Sequence, residues 1–169
     1  MNVRLRDSYL RVRTHFAYMG HVAELTGIAT GDTPSGKEVP AALLRARDEY
    51  LPIFVTDDQA DAIRRGMAGD SFERPLTHDL MIDMVAEYGG AFDRVRIDDL
   101  REGTFYAKID AQRYEAGEPE PLTFDARPSD AVAIAVRADC PIEVTDEVLD
   151  AAGRSGEELG VDGVDGGED

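Results

Sequence analysis

The stretch Asp125-Ala126-Arg127-Pro128-Ser129-Asp130-Ala131 joins a strand to a helix. The residues from Leu122 to Ala126 predict a strand, and the small apolar residues that continue to Ala138 predict a helix that begins at Ser129 or Asp130. Asp125, Arg127 and Asp130 are therefore crowded around one backbone corner, and crowding of this kind requires charge pairing. The corner suits either a rigid ion-paired structure or a site for an anion or a metal ion.

A second Arg-Pro step lies in Arg74-Pro75-Leu76-Thr77-His78-Asp79. The apolar stripe after it predicts a helix that begins at Thr77 and is ended by Gly89-Gly90. His78 and Asp79 fall in its first turn, and Asp83 lies one turn beyond Asp79 on the same face. The three side chains are potential metal ligands, but acids in a first turn also favour the positive end of the helix dipole without any ligand. Both interpretations stay open.

The remaining pattern mixes hairpins with helices. Strands are predicted at Val22–Ala29, Val39–Arg45, Tyr50–Val55, Phe92–Ile97, Thr104–Ala111 and Ile142–Val144. Thr56 and Gln59 form a capping-box pattern before a helix that Gly69 ends, residues 98–103 predict a hairpin turn, and Thr145 predicts the cap of a last helix. The order β-β-β-α-α-β-β-β-α-β-α predicts an α+β fold, with a mixed, largely antiparallel sheet covered by three to four helices.

The net charge of −17 comes from 35 acidic residues against only 2 Lys and 16 Arg. This bias resembles the proteins of salt-loving microbes, and we expect better folding in molar salt because the Debye length falls to about 3 Å at 1 M. An acidic surface repels phosphate backbones at low ionic strength, so any binding of nucleic acid must depend on local contacts. No apolar run approaches the roughly 18 residues of a membrane span, and we expect a cytoplasmic protein without membrane partners.

The two ends differ from the middle of the chain. Residues 1–20 carry a net charge of +3 and the other residues −20, so we predict that 1–20 is an extension and that translation naturally begins at Met19. Residues 153–169 are rich in Gly and acids, which predicts a solvated tail. The domain then covers residues 21–152. Cys140 is the only cysteine and is expected to be a small core residue.

Two other features are expected to have structural roles and no catalytic or binding role. Phe105-Tyr106 is expected to serve core or interface packing instead of base stacking, because stacking sites need an accompanying basic groove that this composition does not indicate. Asp98 and Asp99 are expected to lie in a solvated turn. The sequence contains no P-loop, dinucleotide-binding glycine motif, zinc-binding cysteine pair or Gly-x-Ser-x-Gly elbow, which excludes several enzyme classes.

Five motifs in order resemble the bifunctional nuclease domain family, and the resemblance spans about His21 to Ala152. They are Leu51-Pro52-Ile53-Phe54-Val55, Arg74-Pro75-Leu76-Thr77-His78-Asp79-Leu80, Gly103-Thr104-Phe105-Tyr106-Ala107, the Asp125–Ala131 corner and Cys140-Pro141-Ile142. With the acidic composition, the chain looks like a haloarchaeal-like member. The resemblance implies a compact α+β domain, usually a homo-oligomer, with nuclease activity on RNA and DNA as attributed to plant members. It carries over no catalytic residues, and Thr56-Asp57-Asp58 departs from the family's glycine-containing turn.

The leading hypothesis is a metal-assisted nuclease that hydrolyses phosphodiester bonds of RNA or DNA. Its ligands for Mg²⁺ or Mn²⁺ would be Asp79, Asp83, Asp125 and Asp130. His78, with Asp79, would act as general base or position the attacking water, and Arg74 and Arg127 would stabilise charge in the transition state. The alternative is a non-catalytic binding or assembly module in which the Arg-Pro and Asp motifs form structural ion pairs.

Overall fold

A seven-stranded sheet with helices packed on it forms the protein in the computed structural model, which describes residues 20–161. The strands are β1 (Gly20–Asp32), β2 (Glu38–Ala46), β3 (Glu49–Phe54), β4 (Gly90–Arg101), β5 (Thr104–Glu115), β6 (Glu118–Ala126) and β7 (Ile142–Thr145). The helices are α1 (Asp57–Ala68), α2 (Thr77–Glu87), α3 (Pro128–Ala138), α4 (Asp146–Ala152) and α5 (Gly156–Leu159).

The strand order across the sheet is β3-β2-β1-β7-β4-β5-β6. Neighbouring strands are antiparallel except for β4 and β7, which run parallel. The short strand β7 therefore joins two antiparallel groups, β1 to β3 and β4 to β6. This mixed, largely antiparallel sheet confirms the predicted α+β class, and α5 adds one turn of helix to the four that were expected.

Helix α3 lies at the centre of the core. Helices α1 and α2 pack on it, and α3 itself packs on β4 and β5. Its small residues Ala131, Ala133 and Ala135 are at most 2% exposed, so the helix can approach its neighbours closely. Ile63 of α1 and Ile97 of β4 are fully buried in the same cluster. This packing places the beginnings of α2 and α3 beside each other.

Local signals determine most helix ends. The Thr56–Gln59 capping box is present, and Gly69 ends α1 in the left-handed conformation. The Thr145 side chain accepts a hydrogen bond from the Val148 amide at the start of α4. Helix α3 begins at Pro128, with Arg127 as its N-cap, and not at Ser129 or Asp130 as we expected. Proline favours the first helical position because its φ already suits the helix and its missing N–H is not needed there.

The turn predicted at residues 98–103 is much shorter in the structure. Strands β4 and β5 continue to Arg101 and Thr104, and only Glu102 and Gly103 form the turn, both with positive φ (50° and 77°). Such two-residue turns match the twist of antiparallel strands. The prediction of a solvated turn at Asp98 and Asp99 was therefore wrong, since both residues belong to β4.

The segment expected to be a tail begins with ordered structure. Arg154 exchanges two backbone hydrogen bonds of 2.8 Å with Tyr50 of β3, and α5 follows it. This segment has too few apolar residues to be ordered by burial, but its backbone hydrogen bonds to the edge strand β3 order its beginning. The rest of the expected tail, residues 162–169, and residues 1–19 of the expected extension lie outside the described residues.

A charged cluster is buried on one face of the sheet. Asp110 of β5 is 1% exposed and accepts hydrogen bonds from Arg94 Nε (2.7 Å), Arg96 Nε and Nη2 (2.8 and 3.0 Å) and Thr123 Oγ1 (2.8 Å). Arg94 also donates to Glu143 of β7 at 2.8 Å. Burial by itself raises the pKa of Asp110, but the donors Arg96, Arg94 and Thr123 together lower that pKa below the ordinary value. The cluster ties β7 to β4, β5 and β6.

Candidate functional site

His78 and Asp130 form a polar pair where α2 and α3 begin. His78 Nε2 lies 3.0 Å from Asp130 Oδ1, and Arg127 Nε donates to Asp130 Oδ2 at 2.8 Å. The His78 side chain is 15% exposed, that of Asp130 32% and that of Arg127 69%. Burial alone raises the pKa of Asp130, but the hydrogen bonds of Arg127 and His78 lower it below the usual range. Asp130 is therefore an ionised carboxylate between an imidazole and a guanidinium group.

Asp79 belongs to a different cluster. Its Oδ1 accepts a hydrogen bond of 2.6 Å from Arg137 Nε, and its Oδ2 accepts one from the Leu76 amide at the start of α2. Arg137 is 7% exposed and also donates to the carbonyls of Ala133 and Ala62. Asp130 and Arg137 are seven residues apart on α3, or about 10 Å along the helix axis. The Asp79–Arg137 pair thus links three helices at a distance from the His78–Asp130 pair.

The other expected site residues are separate from both pairs. Asp125 is 85% exposed and pairs with Lys108, which is its neighbour across β5 and β6. Asp83 is exposed and lines a small cavity of about 270 Å³ together with Asp79 and Arg137. Arg74 is exposed before α2 and takes part in none of the ion pairs described between residues 20 and 161. The structure therefore brings His78, Asp130 and Arg127 together but not Asp79, Asp83, Asp125 or Arg74.

The carboxylates do not fit a metal cage made by the protein alone. Among the described residues, no three His, Cys, Asp or Glu side chains are close enough to hold one metal ion. Asp79, Asp125 and Asp130 are each engaged by a different cation, Arg137, Lys108 and Arg127. A cation at each carboxylate opposes the binding of a divalent ion there.

A groove of about 960 Å³ lies beside the His78–Asp130 pair, between the β4–β5 hairpin, the end of β3 and the start of α3. We call it the hairpin groove. Its lining includes three aromatic residues and three cations, namely Phe54, Phe105, Tyr106, Arg101, Lys108 and Arg127. Arg127 both lines this groove and contacts Asp130, so it connects the groove to the polar pair.

Sequence reasoning missed the groove and one of its aromatic residues. Phe105 packs against the core as predicted. Tyr106 is 44% exposed and lines the hairpin groove, so it does not belong to the core, and its expected role in interface packing stays a prediction. The missed signal was the alternation of β5, because Phe105 and the buried Ala107 and Ile109 share one face and Tyr106 must point to the other. The cations of the groove had no signal in the composition, since they come from three separate elements, and Asp98, Asp99 and Asp125 line the groove beside them.

Comparisons with known proteins place the chain among relatives that are mycobacterial or from plants. It is 45% identical over 116 residues to an uncharacterized protein of Mycobacterium tuberculosis, covering 68% of this chain and 66% of that protein. It is 30% identical over 114 residues to bifunctional nuclease 2 of Oryza sativa subsp. japonica and 29% identical over 117 residues to bifunctional nuclease 1 of Arabidopsis thaliana. These two matches cover 66% and 68% of this chain.

The chain spans just under two thirds of the mycobacterial protein and 35% and 36% of the two plant proteins. These relatives give no support to the expectation of a haloarchaeal-like member, and salt dependence stays a prediction. The model of one family, the bifunctional nuclease domain, matches residues 42–157, a range that contains α1 to α4, both polar pairs and the hairpin groove. The chain therefore belongs to the bifunctional nuclease domain family.

Proposed function

We propose that the chain is a nuclease that hydrolyses phosphodiester bonds of RNA or DNA at the junction of the hairpin groove and the His78–Asp130 pair. Family membership and the names of the plant relatives support nuclease-like function. The observation that carries the assignment to this place is the double role of Arg127, which lines the groove and contacts Asp130.

His78 is suited to act as a general base. In its neutral form, donation from Nε2 to the ionised Asp130 leaves Nδ1 as a proton acceptor. The carboxylate also stabilises the imidazolium that forms when Nδ1 takes a proton from an attacking water. Asp130 is in this proposal a positioning residue that determines the tautomer and orientation of His78.

Arg127 is suited to stabilise the charge on the phosphate. Its pair with Asp130 uses Nε, which leaves the two Nη groups of a largely exposed side chain available to phosphate oxygens. Donors aimed at oxygens that gain negative charge in the transition state lower the barrier to hydrolysis. Arg74, at the edge of α2, has no such connection to the groove, and we assign it no role.

A divalent metal enters no step of this proposal, because the described carboxylates do not fit a protein-only cage. The expectation that Mg²⁺ or Mn²⁺ assists the reaction stays a prediction. It is tested by measuring hydrolysis with each ion and with EDTA.

The test compares two histidines that both pair with an aspartate. His78→Gln removes the proposed base, and His21→Gln removes a histidine that lies 2.8 Å from Asp146, just after the end of β7. We expect purified chain in molar salt to cleave RNA or DNA, with the rate reduced about 10²- to 10⁴-fold in His78→Gln and unchanged in His21→Gln. Equal rates in the parent and His78→Gln, or a parent without activity, would rule out the proposal.

The second candidate function is a non-catalytic assembly module. The Asp79–Arg137 pair favours a structural role for Asp79, one of the predicted site residues. Arg137 is buried and holds α1, α2 and α3 together. Under this alternative the His78–Asp130–Arg127 cluster would have the same structural role. His78→Gln would then lower the melting temperature, and neither the parent nor the variant would cleave nucleic acid.

We also propose that the chain forms a homo-oligomer through α2. Leu76, Leu80, Met84 and Tyr88 lie four residues apart and are 37%, 47%, 49% and 80% exposed, so they form one apolar stripe. A stripe of this kind suits an isologous contact with a second copy. Light scattering after gel filtration should give a multiple of the chain mass that Leu80→Asp reduces to one chain.

Within the described residues, no helix combines the length and apolar character needed to cross a membrane. The expected cytoplasmic location stays a prediction.

A further inference from the structure

Two aromatic rings are exposed across the hairpin groove. Tyr106 of β5 is 44% exposed and Phe54 at the end of β3 is 46% exposed, and both line the groove. The guanidinium of Arg101 packs on the Tyr106 ring, 5.1 Å from its centroid. Phe54 lies against Gly31, where an added Cβ would be only 3.0 Å from the ring. Each ring therefore has one neighbour packed against it and leaves the rest of its surface exposed for stacking.

The cations of the hairpin groove are already paired with carboxylates. Arg101 Nη2 lies 2.5 Å from Asp99 Oδ2, Lys108 pairs with Asp125, and Arg127 pairs with Asp130. The chain as a whole carries a charge of −17. Because these cations are already neutralised by carboxylates, a bound strand would release few of the counterions that surround its phosphates. Counterion release, the usual electrostatic source of affinity for nucleic acid, is therefore weak here. The affinity must come mainly from contacts with the bases.

Contacts between aromatic rings and base faces require unpaired bases. A duplex keeps its base faces stacked inside, whereas single strands can place bases on aromatic side chains and guanidinium planes. The groove volume of about 960 Å³ is at the upper end of the range of pockets that enclose drug-sized ligands, so a nucleotide fits.

We infer that the hairpin groove binds single-stranded nucleic acid by stacking bases on Tyr106 and Phe54, with an affinity that depends little on salt concentration. This inference deepens the proposed nuclease function by naming its substrate class. The inferred binding can be measured without hydrolysis, so the inference rests on the proposed nuclease function only in taking the bound strand to be a substrate.

The experiment measures the fluorescence anisotropy of labelled, phosphorothioate-linked strands of about 15 nucleotides, near the upper site size of single-strand binders, with the full chain. The probes are a thymidine strand, an abasic strand of the same length and a duplex. The variants are Tyr106→Ala and Phe54→Ala. Their matched controls are Tyr114→Ala and Phe124→Ala, because Tyr114 and Phe124 are 40% and 50% exposed on β5 and β6 but do not line the groove.

We expect the thymidine strand to bind at least about tenfold more tightly than the duplex or the abasic strand. Tyr106→Ala should weaken its binding about fivefold or more, which is the lower end of what one stacked base contributes, and Tyr106→Phe should retain it. Tyr114→Ala should change it less than about twofold. From about 0.2 to 2 M KCl the logarithm of the binding constant should stay nearly constant, instead of falling with a slope of about −0.7 for each neutralised phosphate.

Equal binding of the abasic strand, equal effects of Tyr106→Ala and Tyr114→Ala, or a steep loss of affinity with salt would each overturn the inference. Binding that depends on Tyr106 without hydrolysis of unmodified strands would support the inference and refute the proposed nuclease function. Hydrolysis with a KM unchanged in Tyr106→Ala and Phe54→Ala would support the nuclease function and overturn the inference.

Discussion

Replacing Asp110 by Asn should be among the most destabilising single changes in this domain. The carboxylate is 1% exposed and accepts four hydrogen bonds, three of them from Arg94 and Arg96. Asparagine keeps the shape but presents an amide NH₂ to guanidinium donors, and it removes the carboxylate that both Arg94 and Arg96 contact. Removing one partner of a buried ion pair costs about 3–5 kcal/mol, because a buried charge is left uncompensated.

Asp146→Asn is the matched control. Asp146 also accepts hydrogen bonds from two partners, Arg47 at 2.7 Å and His21 at 2.8 Å, but its side chain is 61% exposed. Exposed ion pairs contribute about 0–1 kcal/mol, since water and salt screen them. The two variants therefore differ mainly in the burial of the carboxylate.

Urea denaturation measures both variants against the parent chain. For a chain of this size a loss of 3–5 kcal/mol corresponds to a fall in melting temperature of about 6–20 °C, which a thermal scan checks independently. The folded-state pKa of Asp110 is lowered, so its contribution is present above the unfolded pKa of about 3.9 and is lost as the pH falls through the folded pKa. The stability of Asp110→Asn should therefore depend less on pH in that acid range. A loss within about 1 kcal/mol of the Asp146→Asn value would refute the reasoning.

Three further predictions concern other parts of the molecule. Arg137→Ala should lower the free energy of unfolding by about 3–5 kcal/mol, because it removes the buried guanidinium that pairs with Asp79 and donates to carbonyls of two helices. Arg113→Ala at an exposed pair should cost less than about 1 kcal/mol; urea denaturation of both variants checks this. The Cys140 thiol should react slowly with a disulfide reagent at pH 8 in the folded chain and quickly in urea, since burial raises its pKa to about 12 and little thiolate forms; equal rates would contradict this. The melting temperature should rise as KCl increases to about 1 M, because salt screens the repulsion within a chain of charge −17; a melting temperature indifferent to salt would disprove it.

Local patterns in the sequence predicted most elements of the fold because their signals depend on neighbouring residues. The Thr56–Gln59 capping box, the glycine at position 69 and the alternation in β5 each act within a few residues. The errors arose where a local rule was applied too loosely. Strand β4 extends through Asp98 and Asp99, which we assigned to a turn, because pairing with a neighbouring strand overrides weak strand propensity.

The candidate site was predicted only in part. His78 and Asp130 were named from their positions at helix starts and Arg127 from the Arg-Pro step before α3, and the structure brings the three together. Asp79 is the immediate neighbour of His78 but contacts Arg137 instead, because successive residues on a helix point in directions about 100° apart. The pairing partner of each carboxylate could not be deduced from spacing along the chain.

By itself, the sequence determined the α+β class, nearly all the helices and strands, and the family, because periodicity, caps and short motifs are local properties. Only the tertiary structure decided which charges meet. The pairs His78–Asp130 and Asp79–Arg137 join residues 52 and 58 positions apart, and the packing of α1 and α2 on α3 determines which side chains come within hydrogen-bonding distance. The same packing, with the position of the β4–β5 hairpin, opened the groove beside them, since its walls come from parts of the chain that share no local pattern.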